Sequence, residues 1–402
     1  MRFKSALCLA LVLPLAAVSA CSSSGKPGGV GTATAAGSSG PKLSGTPVEV
    51  ALLANSTAVQ DAAAGAQTAI DAINAAGGIK GRPLTLVTCD NQLNANAAAA
   101  CARKFDADPN VIATVGLISS FGADTNPIFI KDKIAGIGTA PLGAGDFGAA
   151  NVFPVACGGL VIVAGAGYLV DQLHAKKPGI VTVDTPTATA LPGLINQAVY
   201  GPRKLKFAAT ASVPASAADV APQAAALGST DGTVVALTSE LQSRYVHTAR
   251  QQGYTGPIVV SGTEVDPGSI KTDLAGANSD LYVMGQFNRN SAGFKAMLAD
   301  HDKYSPSAST FDYYSDAYLS TKIFAQVASQ LPTITRSGVY DAMTAMKGYD
   351  TGGMTNPLDF TTPGTALGGN APRLFAATTV GYPYKYDNGT FATAGNVVPA
   401  FG

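Results

Sequence analysis

Ala72-Ile73-Asn74-Ala75-Ala76-Gly77-Gly78-Ile79-Lys80-Gly81-Arg82-Pro83-Leu84 is the stretch on which the fold turns. Residues 58–76 place Ala and Ile at helical spacing, and the Gly77-Gly78 pair stops that helix because glycine takes a positive φ without strain. Gly81-Arg82-Pro83 then makes a tight turn into a second apolar run, residues 84–89. Another short apolar run, residues 48–54, precedes the helix. A strand, a long amphipathic helix and a second strand form a crossover unit, which implies parallel neighbours in one sheet.

Outward from that unit the same alternation continues. Strands are predicted at 111–116, 134–138, 180–184, 206–212, 233–238, 257–261 and 281–285. Helices are predicted at 96–107, 121–132, 160–174, 191–200, 217–227, 241–252, 312–330 and 337–347, and a tyrosine-bearing strand region at 374–386. The fold class is therefore α/β, with parallel sheets covered by helices on both faces. There are too many strands for one comfortable sheet, so two doubly wound lobes are expected. Ligands in such sheets sit beyond the carboxyl ends of the strands. The apolar run 158–170 is too short to span a bilayer and reads as a buried helix.

Composition narrows the function. The 402 residues include 26 basic and 26 acidic side chains, and only 13% are charged. A neutral chain with a pI near 6.8 lacks the basic surface that a nucleic-acid binder needs. The first twenty residues read as an export signal: Arg2 and Lys4 form a basic head before an apolar run. Val18-Ser19-Ala20-Cys21 resembles the bacterial lipobox, which implies that Cys21 is lipidated and becomes the new N-terminus. Losing Arg2 and Lys4 leaves 24 basic against 26 acidic residues, a formal charge of −2. From Ser22 to about Gly45 the chain is Ser, Gly, Thr, Ala and Pro, the composition of a flexible tether.

The Ala72–Leu84 stretch resembles the corresponding segment of leucine/isoleucine/valine-type solute-binding proteins, lipid-anchored substrate-binding proteins of ABC transporters with the type I periplasmic binding protein fold. The resemblance continues through Asp90-Asn91-Gln92, Arg103-Lys104-Phe105, Val115-Gly116 before Ser119-Ser120, and Ala175-Lys176-Lys177. It covers roughly residues 47–390. It implies two lobes joined by three crossover strands, closing like a hinged clamp on a small ligand that passes to an ABC permease. The crossings are expected near residues 153–156, 285–287 and 348–352. Lobe one is then 47–155 plus 286–350, and lobe two 156–285 plus 351–402. An amino acid or related polar amide is the ligand implied, captured outside the plasma membrane, with no cofactor or metal.

The resemblance also assigns ligand-binding positions. Ser119 and Ser120, after the third strand, match hydroxyls that grip a ligand carboxylate at a helix N-terminus; one of them also suits the N-cap of that helix. Phe121 and Gln60 are weaker candidates in the same lobe. Thr139 and Ala140 belong to the second carboxylate-binding segment, where Leu142 stands in place of the usual threonine. Glu264, in Gly262-Thr263-Glu264, matches the acidic residue that neutralises a ligand ammonium. Thr185 opens the run Thr185-Pro186-Thr187-Ala188-Thr189, which replaces the family's tyrosine-glycine pair. Leu142 and Thr185–Thr189 are the positions where the chain departs from the pattern of a standard α-amino-acid binder.

Three cysteines remain beyond the signal and Cys21. Outside the membrane an oxidised pair is expected, and Cys89, at a strand end, faces Cys101 in the returning helix; Cys157 is left as a free, buried thiol. Gly143-Ala144-Gly145-Asp146-Phe147-Gly148 is a formal GxGxxG match, but it follows no strand-to-helix dinucleotide pattern. With no GxSxG elbow, no CxxC and only three histidines, His174, His247 and His301, a catalytic reading has little to stand on. The two rivals to a transport receptor are a ligand-sensing lipoprotein serving a membrane kinase or receptor, and a Rossmann-type α/β enzyme.

Overall fold

Gly77 and Gly78 carry φ values of +109° and +64°, and the Gly78 N–H closes back on the Ile73 carbonyl at 2.9 Å. A Cβ at Gly78 would lie 2.2 Å from the Arg82 carbonyl oxygen, so the pair ends the helix as its sequence demands. Ile79 and Arg82 then form a bridge that turns the chain into the next strand.

A computed structural model describes residues 42–264, 280–310, 312–387 and 390–401. In the first lobe β1 (Val48–Ala54), α1 (Ser56–Ala75), β2 (Leu84–Asp90), α2 (Ala95–Ala107), β3 (Val111–Val115), α3 (Gly122–Lys131), β4 (Ala135–Ile137), α4 (Ala144–Phe147) and β5 (Val152–Phe153) follow in order. The second lobe adds α5 (Val161–Asp171), β6 (Pro178–Val183), α6 (Pro186–Ile195), β7 (Ala209–Val213), α7 (Ala221–Ala226), β8 (Gly232–Ala236), α8 (Ser239–Gln251), β9 (Ile258–Ser261) and β10 (Leu281–Gly285). The chain then supplies α9 (Ala292–Tyr304), α10 (Asp312–Gln330) and α11 (Arg336–Thr344), and ends in β11 (Val380–Asp387), β12 (Thr390–Thr393) and β13 (Val398–Pro399).

These strands form two sheets. One has the order β2-β1-β3-β4-β5 and is parallel throughout. The other runs β12-β11-β10-β9-β8-β6-β7, with β13 on β11; it is parallel from β10 to β7 and antiparallel at its β11–β12 edge. Each sheet buries apolar side chains on both faces, as expected of doubly wound lobes. In the first, Val50, Leu52 and Val115 pack toward α1 and α10, while Ala51, Leu53 and Phe105 form the core under α2 and α3. In the second, Val181, Val235 and Tyr245 lie on one side of the sheet, and Ile180, Val234 and Leu169 on the other. The expected α/β architecture of two parallel-sheet lobes is what the chain adopts.

Local chemistry moves some boundaries. The helix expected over 191–200 starts at Pro186, because the Thr185 hydroxyl accepts the Ala188 N–H at 3.4 Å and so begins it earlier. The helix expected over 217–227 shortens to Ala221–Ala226. α1 lies against α10 so closely that a Cβ on Gly65 would sit 2.1 Å from the Tyr314 carbonyl oxygen. Beyond the expected third crossing, Met354, Leu358 and Phe360 pack in the first lobe's core with Phe153 and Phe375. Cys89 and Cys101 are joined by a disulfide, with Cα atoms 5.8 Å apart, which ties the end of β2 to α2. Cys157 is a buried free thiol.

Candidate functional site

The strands of both lobes end at a shared cleft, where loops from each sheet face one another. Its cavity of about 510 Å³ is walled on the first-lobe side by Asn55, Ser120, Tyr313 and the 141–147 segment. On the second-lobe side stand Leu160 and Ile162 of the α5 region, α6 from Thr185 to Leu194, and the strand ends carrying Thr238, Ser261 and Thr263. A larger cavity of about 660 Å³ lies among α1, α9 and α10 of the first lobe, beside Tyr318 and Asp300, and has no second-lobe wall.

The polar groups of the cleft gather at helix N-termini. Asn55 and Thr238 precede α1 and α8, and neither side chain caps its helix. Thr185 precedes α6 and caps it. Nearby, the Ser261 and Thr263 hydroxyls lie 2.6 Å apart. Unpaired N–H groups at the start of a helix, together with the partial positive charge there, suit an anionic group.

The remaining wall is apolar. Leu142, Phe147, Ile162, Leu191 and Leu194 line it, and all five are half-buried; Leu142 packs against the first lobe's core and the other four against the second's. Among the described residues no charged side chain lines the cleft. The wall at 141–147 is held in shape from behind by Asp146, whose Oδ2 accepts the N–H groups of Leu142 at 3.1 Å and Gly143 at 3.3 Å. Its Oδ1 accepts the Asn126 amide at 3.1 Å. Burial pushes the Asp146 carboxyl up to about 6, against the lowering effect of those hydrogen bonds.

Of the residues assigned from sequence, Ser120 and Thr185 line the cavity. Ser119, one position earlier, is buried, and its Oγ accepts the Asn91 amide and the Phe121 N–H, each at 3.2 Å. Thr139 is also buried and donates to the Gly136 carbonyl at 3.1 Å, and Ala140 is buried in the first lobe's core. Phe121 is half-buried at the start of α3, and Gln60 is exposed on α1; neither belongs to the cavity wall. Glu264 ends the short turn Gly262–Glu264 after β9, and its side chain lies outside the described residues. The sequence reading passed over Thr238, Ser261 and Tyr313. A signal for Thr238 was present, since Thr238-Ser239 follows β8 as Ser119-Ser120 follows β3, at the carboxyl end of a strand. The apolar wall gave no such signal, because leucines at helical spacing read as core.

Segments that run between the two sheets are hydrogen-bonded to one another. The Gly158 N–H donates to Gln286 Oε1 at 2.5 Å, and the Gln286 N–H donates to Asp312 Oδ2 at 3.0 Å. The Tyr384 hydroxyl donates to the Phe287 carbonyl at 2.8 Å and accepts the Arg289 N–H at 2.8 Å. Among the described residues no group of acidic, histidine and cysteine side chains could hold a metal ion, and no helix is long and apolar enough to cross a membrane.

Solved structures share this architecture. A branched-chain amino acid transporter substrate-binding protein, LivJ, from Streptococcus pneumoniae in complex with isoleucine is 22% identical, with a TM-score of 0.71 over 88% of this chain and 100% of its own. A possible leucine/isoleucine/valine-binding protein from Rhodopirellula baltica is 13% identical, with a TM-score of 0.74 over 89% and 97%. A fatty acid ABC transporter substrate-binding protein from Thermomonospora curvata is 19% identical, with a TM-score of 0.71 over 90% and 93%. No curated protein matches the chain. The family model described as periplasmic binding protein matches residues 54–372. The chain belongs to that family, whose members are extracytoplasmic solute-binding proteins of ABC transporters.

Proposed function

We propose that the chain is the lipid-anchored receptor of an ABC importer, which captures a small solute between its lobes outside the plasma membrane and delivers it to a permease. In this reading Cys21 carries the lipid and residues 22–46 form the tether. The observation that supports it best is the cavity walled by both lobes beside a hydrogen-bonded hinge, because closure there couples ligand binding to the shape that a permease meets. The ligand presents a carboxylate to Ser120 and the α1 N-terminus on the first lobe, with Thr185 and the α8 N-terminus on the second. Ser119, Phe121, Thr139 and Ala140 shape the loops that place Ser120 and the 141–147 wall, and Gln60 stays at the margin.

Amino acids are the first ligands to test, with Glu264 as the partner of the ammonium. In a thermal-shift titration against amino acids, Glu264→Ala is expected to abolish ligand-induced stabilisation and leave the ligand-free melting point near wild type. An unchanged shift would remove Glu264 from the site. Import is distinguished from sensing by uptake assays: Cys21→Ala is expected to release the receptor from the membrane and to lower uptake of the bound solute. Membrane release with undiminished uptake would favour the sensing role.

A further inference from the structure

We propose that the amino-terminal end of the second lobe's sheet rests on a bilayer, where exposed lysines meet anionic lipid headgroups. The proposal goes beyond the receptor reading and takes from it only the lipid anchor at Cys21. The cleft lies at the carboxyl ends of the strands; the lysines lie where β6 and β7 begin. Lys176 and Lys177 immediately precede β6, and Lys204 and Lys206 lead into β7. The two strands are neighbours, with Gly179 paired to Ala209 and the Ala208 N–H donating to the Pro178 carbonyl at 2.8 Å. All four lysines are exposed, as are His174 and Arg203 beside them.

Two acids stand in the same place, and both are engaged. Asp231, just before β8, accepts the Lys176 N–H at 2.8 Å and the Lys177 N–H at 2.7 Å, so its carboxylate holds the backbone of that loop. Asp171 accepts the Arg203 guanidinium through both oxygens, at 2.8 and 2.7 Å. Among the described residues the ammonium groups of Lys176, Lys177, Lys204 and Lys206 form no ion pair. The first lobe's strand starts differ, because their charges are matched: Lys131 pairs with Asp132 at 3.8 Å, Lys133 with Asp341 at 3.1 Å and Arg336 with Asp106 at 3.5 Å. Five basic side chains against two acids leave the starts of β6, β7 and β8 at a formal +3, on a chain that stands at −2 once Arg2 and Lys4 are lost. On a near-neutral chain that is a one-signed face, not an even scatter. Its form fits a lipid surface better than a small anion. Lysine is a compact, strongly hydrated charge on a flexible stem, suited to a fluid layer of headgroups, and none of the four lines either cavity described above. An acyl anchor and a basic face are the two attachments that together hold a protein stably on a membrane.

The test is co-sedimentation of the unacylated mature chain, carrying Cys21→Ser, with vesicles of phosphatidylcholine alone and of phosphatidylcholine mixed with phosphatidylglycerol. Binding is expected to rise with the phosphatidylglycerol fraction. It is expected to fall as salt is raised from about 0.01 M to about 0.15 M, which shortens the Debye length from about 30 Å to about 8 Å. Lys176→Gln, Lys177→Gln and Lys206→Gln together should weaken binding by about fivefold for each lysine removed, the equivalent of about 1 kcal/mol apiece near an anionic surface. Lys104→Gln, Lys295→Gln and Lys347→Gln, at three exposed positions scattered over the first lobe, give the same net charge and should bind as wild type does. Equal loss in the two triple variants would mean that net charge acts and not this face, and would overturn the proposal. Equal binding to both kinds of vesicle, or binding to neither, would overturn it as well. Cross-linking to a permease that depends on these lysines, without vesicle binding, would put a protein surface there in place of the membrane. None of these outcomes bears on solute capture in the cleft, which the thermal-shift and uptake assays above judge separately.

Discussion

Gln286 accepts the Gly158 N–H on its side-chain oxygen at 2.5 Å, so two of the segments that pass between the lobes meet in one residue. Its own N–H donates to Asp312 at the start of α10, which extends the link into the first lobe's largest helix pair. A buried glutamine fixed at both its backbone and side chain allows rotation about few bonds while keeping each N–H paired.

Replacing Gln286 by Ala should strand the Gly158 N–H in a buried site. The expected cost is about 1–3 kcal/mol of unfolding free energy, the usual penalty for an unpaired buried donor. Chemical denaturation of the mature protein measures it, and a stability equal to wild type would show that water replaces the amide.

Asp316 gives the stability of the fold a pH dependence of calculable sign. It is buried on α10, with Asp312 one turn before it and the Ser320 hydroxyl donating to Oδ1 at 3.0 Å. Burial, reinforced by the Asp312 charge, pushes its carboxyl up to about 8, and burial pushes Asp312 up to about 6. A carboxyl whose folded value lies above its unfolded one stabilises the fold fully below about pH 4, and that stability is lost as pH rises through about 8. Asn at position 316 cannot ionise. Asp316→Asn should therefore match wild type near pH 4 and become the more stable of the two as pH rises, by up to several kcal/mol. Melting points of both proteins across that range provide the check; a constant difference would mean that Asp316 does not titrate.

Sequence alone carried the architecture further than the site. The glycine pair, the tight Gly81-Arg82-Pro83 turn and the alternating apolar runs are local signals, and each strand and helix they mark is present. The cleft depends on which side of a short loop faces the other lobe, and no periodicity encodes that. Ser119 and Ser120 are adjacent and chemically alike, yet one points into the Asn91 network and the other into the cavity. Leu191 and Leu194 have the spacing of core residues and do pack on the second lobe's core, but with one flank left open to the cleft. The reach of the first lobe's core to Phe360 and Phe375 was hidden for a related reason, since residues 345–375 are largely irregular and their packing is non-local.

The two serines separate stability from binding. Ser119→Ala leaves the Asn91 amide and the Phe121 N–H short of an acceptor in a buried site, and is expected to cost about 1–3 kcal/mol of stability. Ser120→Ala removes an exposed hydroxyl and should change stability by less than about 0.5 kcal/mol while weakening ligand affinity several-fold. Denaturation curves and titrations of the two variants side by side read both effects. If Ser120→Ala binds as wild type does, Ser120 holds no part of the ligand.

The Cys89–Cys101 bridge closes a short loop between β2 and α2, and its contribution comes mainly from limiting the unfolded chain. For a loop of this length the chain-entropy estimate is about 3 kcal/mol. The double variant Cys89→Ser, Cys101→Ser should unfold at a lower denaturant concentration by that amount, with ligand affinity close to wild type, because neither cysteine lines the cleft. Reduction of the wild-type protein should reproduce the same loss, since Cys157 is buried and its thiol is pushed well above its usual value by burial, which leaves it a poor partner for exchange. A fall in affinity along with stability would instead place the β2–α2 corner, and Asn91 just beyond it, in control of the Ser119-Ser120 loop.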